Sequence, residues 1–152
     1  MLQVETVADL KAHVGKKLGF SDWLEVTQPM IDAFAEATGD HNWIHVDVTR
    51  AKKEMPGGKT IAHGYLTLSL IPKLSQTVYR VTKKGKSFNY GSNKVRFTTP
   101  VQSGARVRLV QTLRDVTETD IGTRLTSECV MEIEGGGKPA MVAETLVLIA
   151  KE

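Results

Sequence analysis

One stretch of the chain, from Ala62 to about Val81, restricts the fold more than any other. Its apolar side chains recur at helical spacing and cover most of the surface of the predicted helix, which is typical of a buried helix. They are Tyr65, Leu66, Leu68, Leu70, Ile71, Leu74, Val78 and Tyr79. Pro72 lies inside the stretch and removes one backbone donor, so we expect a kink near residue 70.

The second half of the chain changes from helical spacing to alternation. Apolar and polar residues alternate over 105–114 and again over 125–133, which predicts two half-buried strands. Residues 140–149 are apolar on both faces, which predicts a strand that is covered on both sides. Because the long helix must be buried, this antiparallel sheet has to curl around it, and the predicted fold class is α+β.

Another predicted helix ends directly before a group of polar residues. Thr27 can cap its first turn, Pro29 suits that turn, and Gly39 supplies the stop. Near the start of the chain, residues 6–9 resemble a capping box and Gly15 a helix stop, which predicts a short opening helix.

Length and composition indicate one domain and exclude several classes of protein. The 152 residues contain no repeat and no Pro/Ser-rich linker, so we expect a single domain over 1–152. The net charge of +3 arises from interleaved basic and acidic residues without any nucleic-acid-binding motif, so no nucleic acid partner is expected. Because no run is apolar enough to span a membrane and the single Cys129 falls on a core face, we predict a cytoplasmic protein without membrane contact.

The segment after Gly39 combines an acid, an amide and two imidazoles: Asp40, His41, Asn42 and His45. A carboxylate and an imidazole five positions apart on a turn can converge on one water molecule. Adding water across a double bond needs such a pair, because one group deprotonates the water while a proton is delivered to carbon. Residue types alone leave a second interpretation open, a turn aspartate beside a hydrogen-bonded core histidine.

This segment resembles the hydratase-2 signature of the MaoC-like family. The signature has an aromatic residue and a small residue, then Gly-Asp-x-Asn-x-(Ile/Leu)-His, and a second small residue six positions after the histidine. Ala51 occupies that last position. Trp43 replaces the proline that is usual before the Ile/Leu, which is a feature of a nodulation-protein-N-like subgroup. Residues 60–67 are similar to the start of the family's buried helix, and residues 93–101 to its central strand.

The resemblance implies a hot-dog fold, in which a curved antiparallel sheet wraps around one long helix, and a homodimer whose sheets join edge to edge. It implies (R)-specific hydration of trans-2-enoyl-CoA to (3R)-3-hydroxyacyl-CoA, and the reverse dehydration, without a cofactor. In this interpretation Asp40 and His45 are the catalytic pair that holds the water. Asn42 and Gly64 bind the substrate, Asn42 by orienting water or acid and Gly64 by polarising the thioester carbonyl with its backbone N–H.

Both substrate-binding residues also have a structural interpretation. Asn42 would merely cap the turn, and Gly64 would be required only because a side chain would prevent close packing of helix against sheet. Asp40, His45 and His63, together with His41, could suggest a metal site. Gly39 marks a helix end and no HExxH arrangement is present, so no metal is expected.

Two other functions fit a chain of this kind. A hot-dog acyl-CoA thioesterase would hydrolyse the thioester with a carboxylate, and a non-catalytic acyl-CoA-binding module would keep the groove without using an acid/base pair. The Asp40 and His45 pattern favours hydration over both. Lys94 and Arg96 share one side of a strand. The pattern fits equally well with their facing solvent, a dimer neighbour or the CoA diphosphate.

Overall fold

The computed structural model describes residues 1–151. Its strands are β1 (Leu2–Thr6), β2 (Lys17–Phe20), β3 (Leu24–Glu25), β4 (Tyr79–Lys83), β5 (Ser87–Phe97), β6 (Arg106–Thr119), β7 (Gly122–Ile133) and β8 (Met141–Ala150). Its helices are α1 (Gln28–Thr38), α2 (Trp43–Val46), α3 (Val48–Glu54), α4 (Gly64–Ser69) and α5 (Ile71–Val78), with 3-10 segments at Ala8–His13 and Pro56–Gly58.

The main sheet has the strand order β2-β6-β7-β8-β5, and β3 adds to β6. All of these pairs are antiparallel, and β6, β7 and β8 form the predicted meander. One face of the sheet carries the core, as the alternation predicted, with these residues buried: Val107, Leu109, Leu113, Leu125, Cys129 and Met131. The packing of α4 and α5 against this face confirms the α+β class and the curved sheet around a central helix.

Cys129 lies in the core, as its position in the alternation predicted. Burial raises the pKa of its thiol to about 11, partly offset by the hydroxyl of Thr145 at 3.5 Å. The thiol therefore stays protonated near neutral pH and acts as a small apolar side chain.

The central helix is broken where Pro72 predicted a kink. The segments α4 and α5 meet at Leu70, and Pro72 lies in the first turn of α5, where a missing N–H is tolerated. The predicted end near Val81 is wrong, because the helix stops at Val78 and β4 follows. This strand pairs in parallel with β1, from the start of the chain. Tyr65 is also not buried as expected: it is 68% exposed.

Two predictions about the sheet need correction. In β8, Met141 and Ile149 face the core, but Val142 and Leu146 on the other face are only half-buried, since no second layer within residues 1–151 covers them. The strand expected to be central, β5, lies at the sheet edge and is exposed along almost its whole length. Its outer side therefore offers unpaired backbone groups.

Local signals set the ends of α1 as predicted. The Thr27 hydroxyl accepts the Met30 N–H at 3.4 Å, and Gly39, with a φ of 79°, donates its N–H to the Ala35 carbonyl at 2.8 Å. The predicted opening helix is the 3-10 segment at Ala8–His13. Across residues 1–151, every helix is too short or too polar to cross a membrane.

Candidate active site

The single turn of α2 positions His45. The Asn42 side-chain oxygen accepts the Ile44 N–H at 3.4 Å, so Asn42 does cap this turn. The His45 side chain is buried, and its Nδ1 lies 2.6 Å from the carbonyl oxygen of Ile61. Because a carbonyl oxygen can only accept, Nδ1 carries the proton of the neutral ring and Nε2 keeps a free lone pair.

A polar bridge fixes α2 against its neighbours. The Gln28 amide donates to the His45 carbonyl oxygen at 2.8 Å, and its oxygen accepts a hydrogen bond from the buried hydroxyl of Thr60. This bridge joins the start of α1, the end of α2 and the segment before α4. Sequence analysis did not identify Gln28, because a glutamine in the first turn of a helix has no signal that distinguishes it from a solvated residue.

Asp40 lies in the loop between α1 and α2, with its carboxylate exposed. One carboxylate oxygen accepts the Asn42 N–H at 3.2 Å, and the main-chain carbonyl accepts the Nε2–H of His63 at 2.9 Å. Asp40, His45 and His63 each contribute one side-chain atom to a group in which all separations are within 4.8 Å. The fold thus brings the predicted acid and imidazole together at the entrance of a buried histidine pair.

His63 is the third member of the group. Its ring stacks on His45 with a centroid separation of 3.8 Å and an interplanar angle of 25°, and Phe34 lies at 4.9 Å. Its Nδ1 is buried and has no hydrogen-bond partner among residues 1–151. His41 lies outside the group, because its half-exposed ring pairs instead with Glu36 at 3.5 Å.

The stacking determines what the group can hold. A metal ion bound by two imidazoles must lie in the plane of each ring, about 2.0–2.1 Å from each nitrogen. Nearly parallel rings at 3.8 Å cannot both meet that condition without rotating. A water molecule held by the Asp40 carboxylate and by one ring alone avoids this conflict, so the arrangement suits such a water better than a metal ion shared by both rings.

Gly64 is the first residue of α4, where a backbone N–H has no acceptor within the helix. A Cβ at this position would lie 2.9 Å from two ring atoms of Phe97, so the packing interpretation of this glycine is supported as well. Gly64, Thr67 and Phe97 line a cavity of about 180 Å³. A larger cleft of about 280 Å³, beside Lys83, is lined by none of the predicted site residues.

Similarity to known proteins extends over most of the chain. The MaoC like domain matches residues 9–131. The 3-hydroxyacyl-thioester dehydratase Z of Mycobacterium tuberculosis (strain ATCC 25618 / H37Rv) is 49% identical over 148 residues, which are 97% of each chain. Nodulation protein N of Rhizobium leguminosarum bv. viciae is 39% identical over 95% of this chain and 91% of that protein.

A solved structure, the (R)-hydratase from A. caviae involved in PHA biosynthesis, superimposes with a TM-score of 0.68 at 26% identity, covering 86% of this chain and 94% of that one. The hot-dog architecture expected from the sequence is therefore confirmed. With the family match over most of the chain, the chain is an enzyme and belongs to the MaoC-like family of hydratases and dehydratases, close to its nodulation-protein-N-like members.

Proposed function

We propose that the enzyme hydrates trans-2-enoyl-CoA to (3R)-3-hydroxyacyl-CoA and dehydrates the product in reverse. The observation that carries this proposal is the clustering of the exposed Asp40 carboxylate with the buried His45, whose Nδ1 donates to Ile61 and leaves Nε2 as the ring nitrogen that can accept a proton. Relatives named a 3-hydroxyacyl-thioester dehydratase and an (R)-hydratase support the same reaction class. The wider role would then lie in fatty acid metabolism.

In this mechanism Asp40 and His45 accept the two hydrogens of one water molecule. As the water oxygen bonds to C3 of the enoyl thioester, one proton moves to Nε2 of His45, and the π electrons shift towards the thioester oxygen. The imidazolium then returns that proton to C2, and the ring is neutral again. Dehydration reverses these steps, so the pair needs no net proton from solvent.

Gly64 and Asn42 would assist at opposite ends of the reacting group. The Gly64 N–H, unused within α4, is proposed to donate to the thioester oxygen as negative charge develops there, which favours the transition state. Asn42 holds the Asp40 carboxylate through its backbone N–H and caps α2 with its side chain. Asn42 would therefore orient the Asp40 carboxylate, and the turn that it caps carries His45.

We also propose that the chain acts as a homodimer. The exposed outer edge of β5 can pair with the same strand of a second copy, which would make β5 central in a continuous sheet. We also propose that residues 1–152 form a single domain. Strand pairing near both ends of the chain supports this, because β1 pairs with β4 and β8 pairs with β5. A cytoplasmic location also stays a prediction.

Incubation of the purified protein with crotonyl-CoA and, separately, with saturated acyl-CoAs tests the proposal. We expect loss of enoyl absorbance with crotonyl-CoA and no release of free thiol from either substrate. Thiol release would identify a thioesterase. Binding without any turnover would identify an acyl-CoA-binding module, and either result would contradict the proposed reaction.

A further inference from the structure

We propose that His63 is a positioning residue for this reaction, which holds the Asp40 carboxylate beside His45 by donating a hydrogen bond to the Asp40 carbonyl oxygen. The inference rests on the proposed hydratase function and adds a third residue to its machinery. His63 itself does not exchange a proton with the substrate.

The loop that carries Asp40 has few attachments. The Asp40 N–H meets the Thr38 hydroxyl at the long distance of 3.5 Å, and its carboxylate accepts the Asn42 N–H, so both contacts are local in sequence. Within residues 1–151, the hydrogen bond from His63 is the one that ties Asp40 to a distant part of the chain. Without it, the loop between Gly39 and α2 has greater freedom to move the carboxylate away from His45.

A histidine at position 63 is not explained by packing. The ring lies between Phe34 and His45 and is almost completely buried, yet its Nδ1 has no partner in the described chain. A buried polar atom without a hydrogen bond costs free energy. Phenylalanine would fill nearly the same space without that cost. What histidine adds is the Nε2–H donor, and this donor points at Asp40.

His63 also contacts both members of the catalytic pair. Its ring face lies on His45, and its N–H reaches the backbone of Asp40. One side chain therefore contacts both the ring of the proposed base and the backbone of the residue that carries the carboxylate. Catalytic groups must be held to a fraction of an ångström for full efficiency, so loss of this tie is expected to lower turnover more than substrate binding.

Three substitutions separate the contributions of the ring and of the donor. His63→Phe keeps the stacked ring and removes the donor, His63→Gln keeps an N–H donor and removes the ring, and His63→Leu removes both. The side chain makes no capping bond to α4, so that helix can still begin at Gly64. We expect kcat to fall about 10-fold or more in the Phe and Leu variants, with KM changed less than about 3-fold, and Gln to stay within about 3-fold of the parent.

A purely structural role predicts the opposite order, with the well-packed Phe variant fully active and Gln the most impaired, and that result would overturn the proposal. If His63→Phe fails to fold, the comparison of Gln with Leu decides. Equal losses in those two variants would also overturn it.

A double-mutant cycle tests whether His63 acts through Asp40. In an Asp40→Asn background the carboxylate is absent, so we expect His63→Phe to cause no further loss of kcat beyond about 2-fold. A further loss as large as in the parent would contradict a positioning role. The cycle also separates the two proposals, because a fully active Asp40→Asn enzyme would refute the catalytic assignment itself, whereas an inactive Asp40→Asn with a fully active His63→Phe would refute only the role of His63.

Discussion

Asp40 and His45 have different surroundings, and both are needed in the proposed mechanism. Asp40 is exposed and His45 is buried with its Nδ1 proton committed to Ile61. We expect Asp40→Asn and His45→Gln each to lower the hydration rate about 100-fold or more, measured as loss of enoyl absorbance, because the first removes the negative charge that orients and polarises the water and the second removes the ring nitrogen that takes its proton. Circular dichroism should show folded proteins. A folded variant within a few-fold of the parent would refute the role of that residue.

His41 supplies a matched control for those variants. It is a histidine four positions from His45, but its side chain faces solvent and pairs with Glu36. We expect His41→Gln to keep the parental rate. A large loss in this variant would show that substitution anywhere in the segment is damaging and would weaken the conclusion drawn from His45.

Gly64 requires a test that removes its N–H without adding a clash. Any Cβ at this position meets the ring of Phe97, so we compare Gly64→Pro with Gly64→Ala in a Phe97→Ala background, where that contact is absent. Proline suits the first position of α4, and His63 before it already has the extended ψ of 136° that a following proline needs.

In that background we expect Gly64→Pro to hydrate crotonyl-CoA about 100-fold more slowly than Gly64→Ala, since proline lacks the donor. Thermal melts of both proteins check that α4 still forms. Equal rates would contradict the oxyanion assignment and leave packing against Phe97 as the explanation of the glycine.

The proposed catalytic residues could be predicted from the sequence, whereas the residues that hold them in place could not. Asp40 and His45 lie in one short motif whose residue types indicate water activation. Gln28 reaches the backbone of His45 and Phe97 covers Gly64 only after distant segments pack together. Such contacts leave no local signal, because an isolated glutamine or phenylalanine has many possible environments.

The end of α1 determines where Asp40 lies. Gly39 ends that helix with a φ of 79°, where a side chain is strained even though the space beside it is open. We expect Gly39→Ala to lower the free energy of unfolding by roughly 1 kcal/mol and also to reduce hydration, because the loop must shift to relieve the strain.

Gly15 provides the control for this helix end, since it has a φ of 80°, equally open space and a position outside the site. Gly15→Ala should cost a similar free energy of unfolding in urea titration while leaving the hydration rate unchanged. Loss of activity in both variants would mean that the rate follows stability rather than the position of the loop.

Elements with local signals were predicted well. Thr27 and Gly39 set the ends of α1, and Pro72 predicted the break between α4 and α5. The parallel pair of β1 and β4 was missed because each is five residues long and gains its strand conformation from a partner far away in the chain. Helical periodicity continues through Tyr79, but the backbone becomes extended at that residue and pairs with β1.

At the scale of the whole molecule, the exposed edge of β5 predicts association. Light scattering at micromolar concentration should give twice the chain mass of 16.7 kDa. Phe88 and Tyr90 are large exposed side chains on this strand, 51% and 58% accessible, so replacing both by serine should weaken the dimer. Ile121, exposed in the turn between β6 and β7, is the control, and Ile121→Ser should remain dimeric. A monomeric parent protein would contradict pairing through β5.

Two predictions about the sheet differ from the single chain, and association through β5 would account for one of them. Family resemblance indicated that β5 is central, and a single chain leaves it at the edge. Apolar residues on both faces of β8 predicted two covers, and the chain supplies one. Edge pairing through β5 would make that strand central but would leave the outer face of β8 uncovered, so the proposed dimer accounts for the first difference alone.

The central claim is that Asp40 and His45 deliver one water molecule to one face of an enoyl thioester. Chiral analysis of the 3-hydroxybutyryl product formed from crotonyl-CoA tests it most directly, because the stereochemistry reports the geometry of the water and of the bound substrate together. The proposed reaction predicts only the (3R) product, formed about 100-fold or more slowly by the Asp40→Asn and His45→Gln enzymes. A predominantly (3S) product, or a (3R) product made at the parental rate by either variant, would contradict the account.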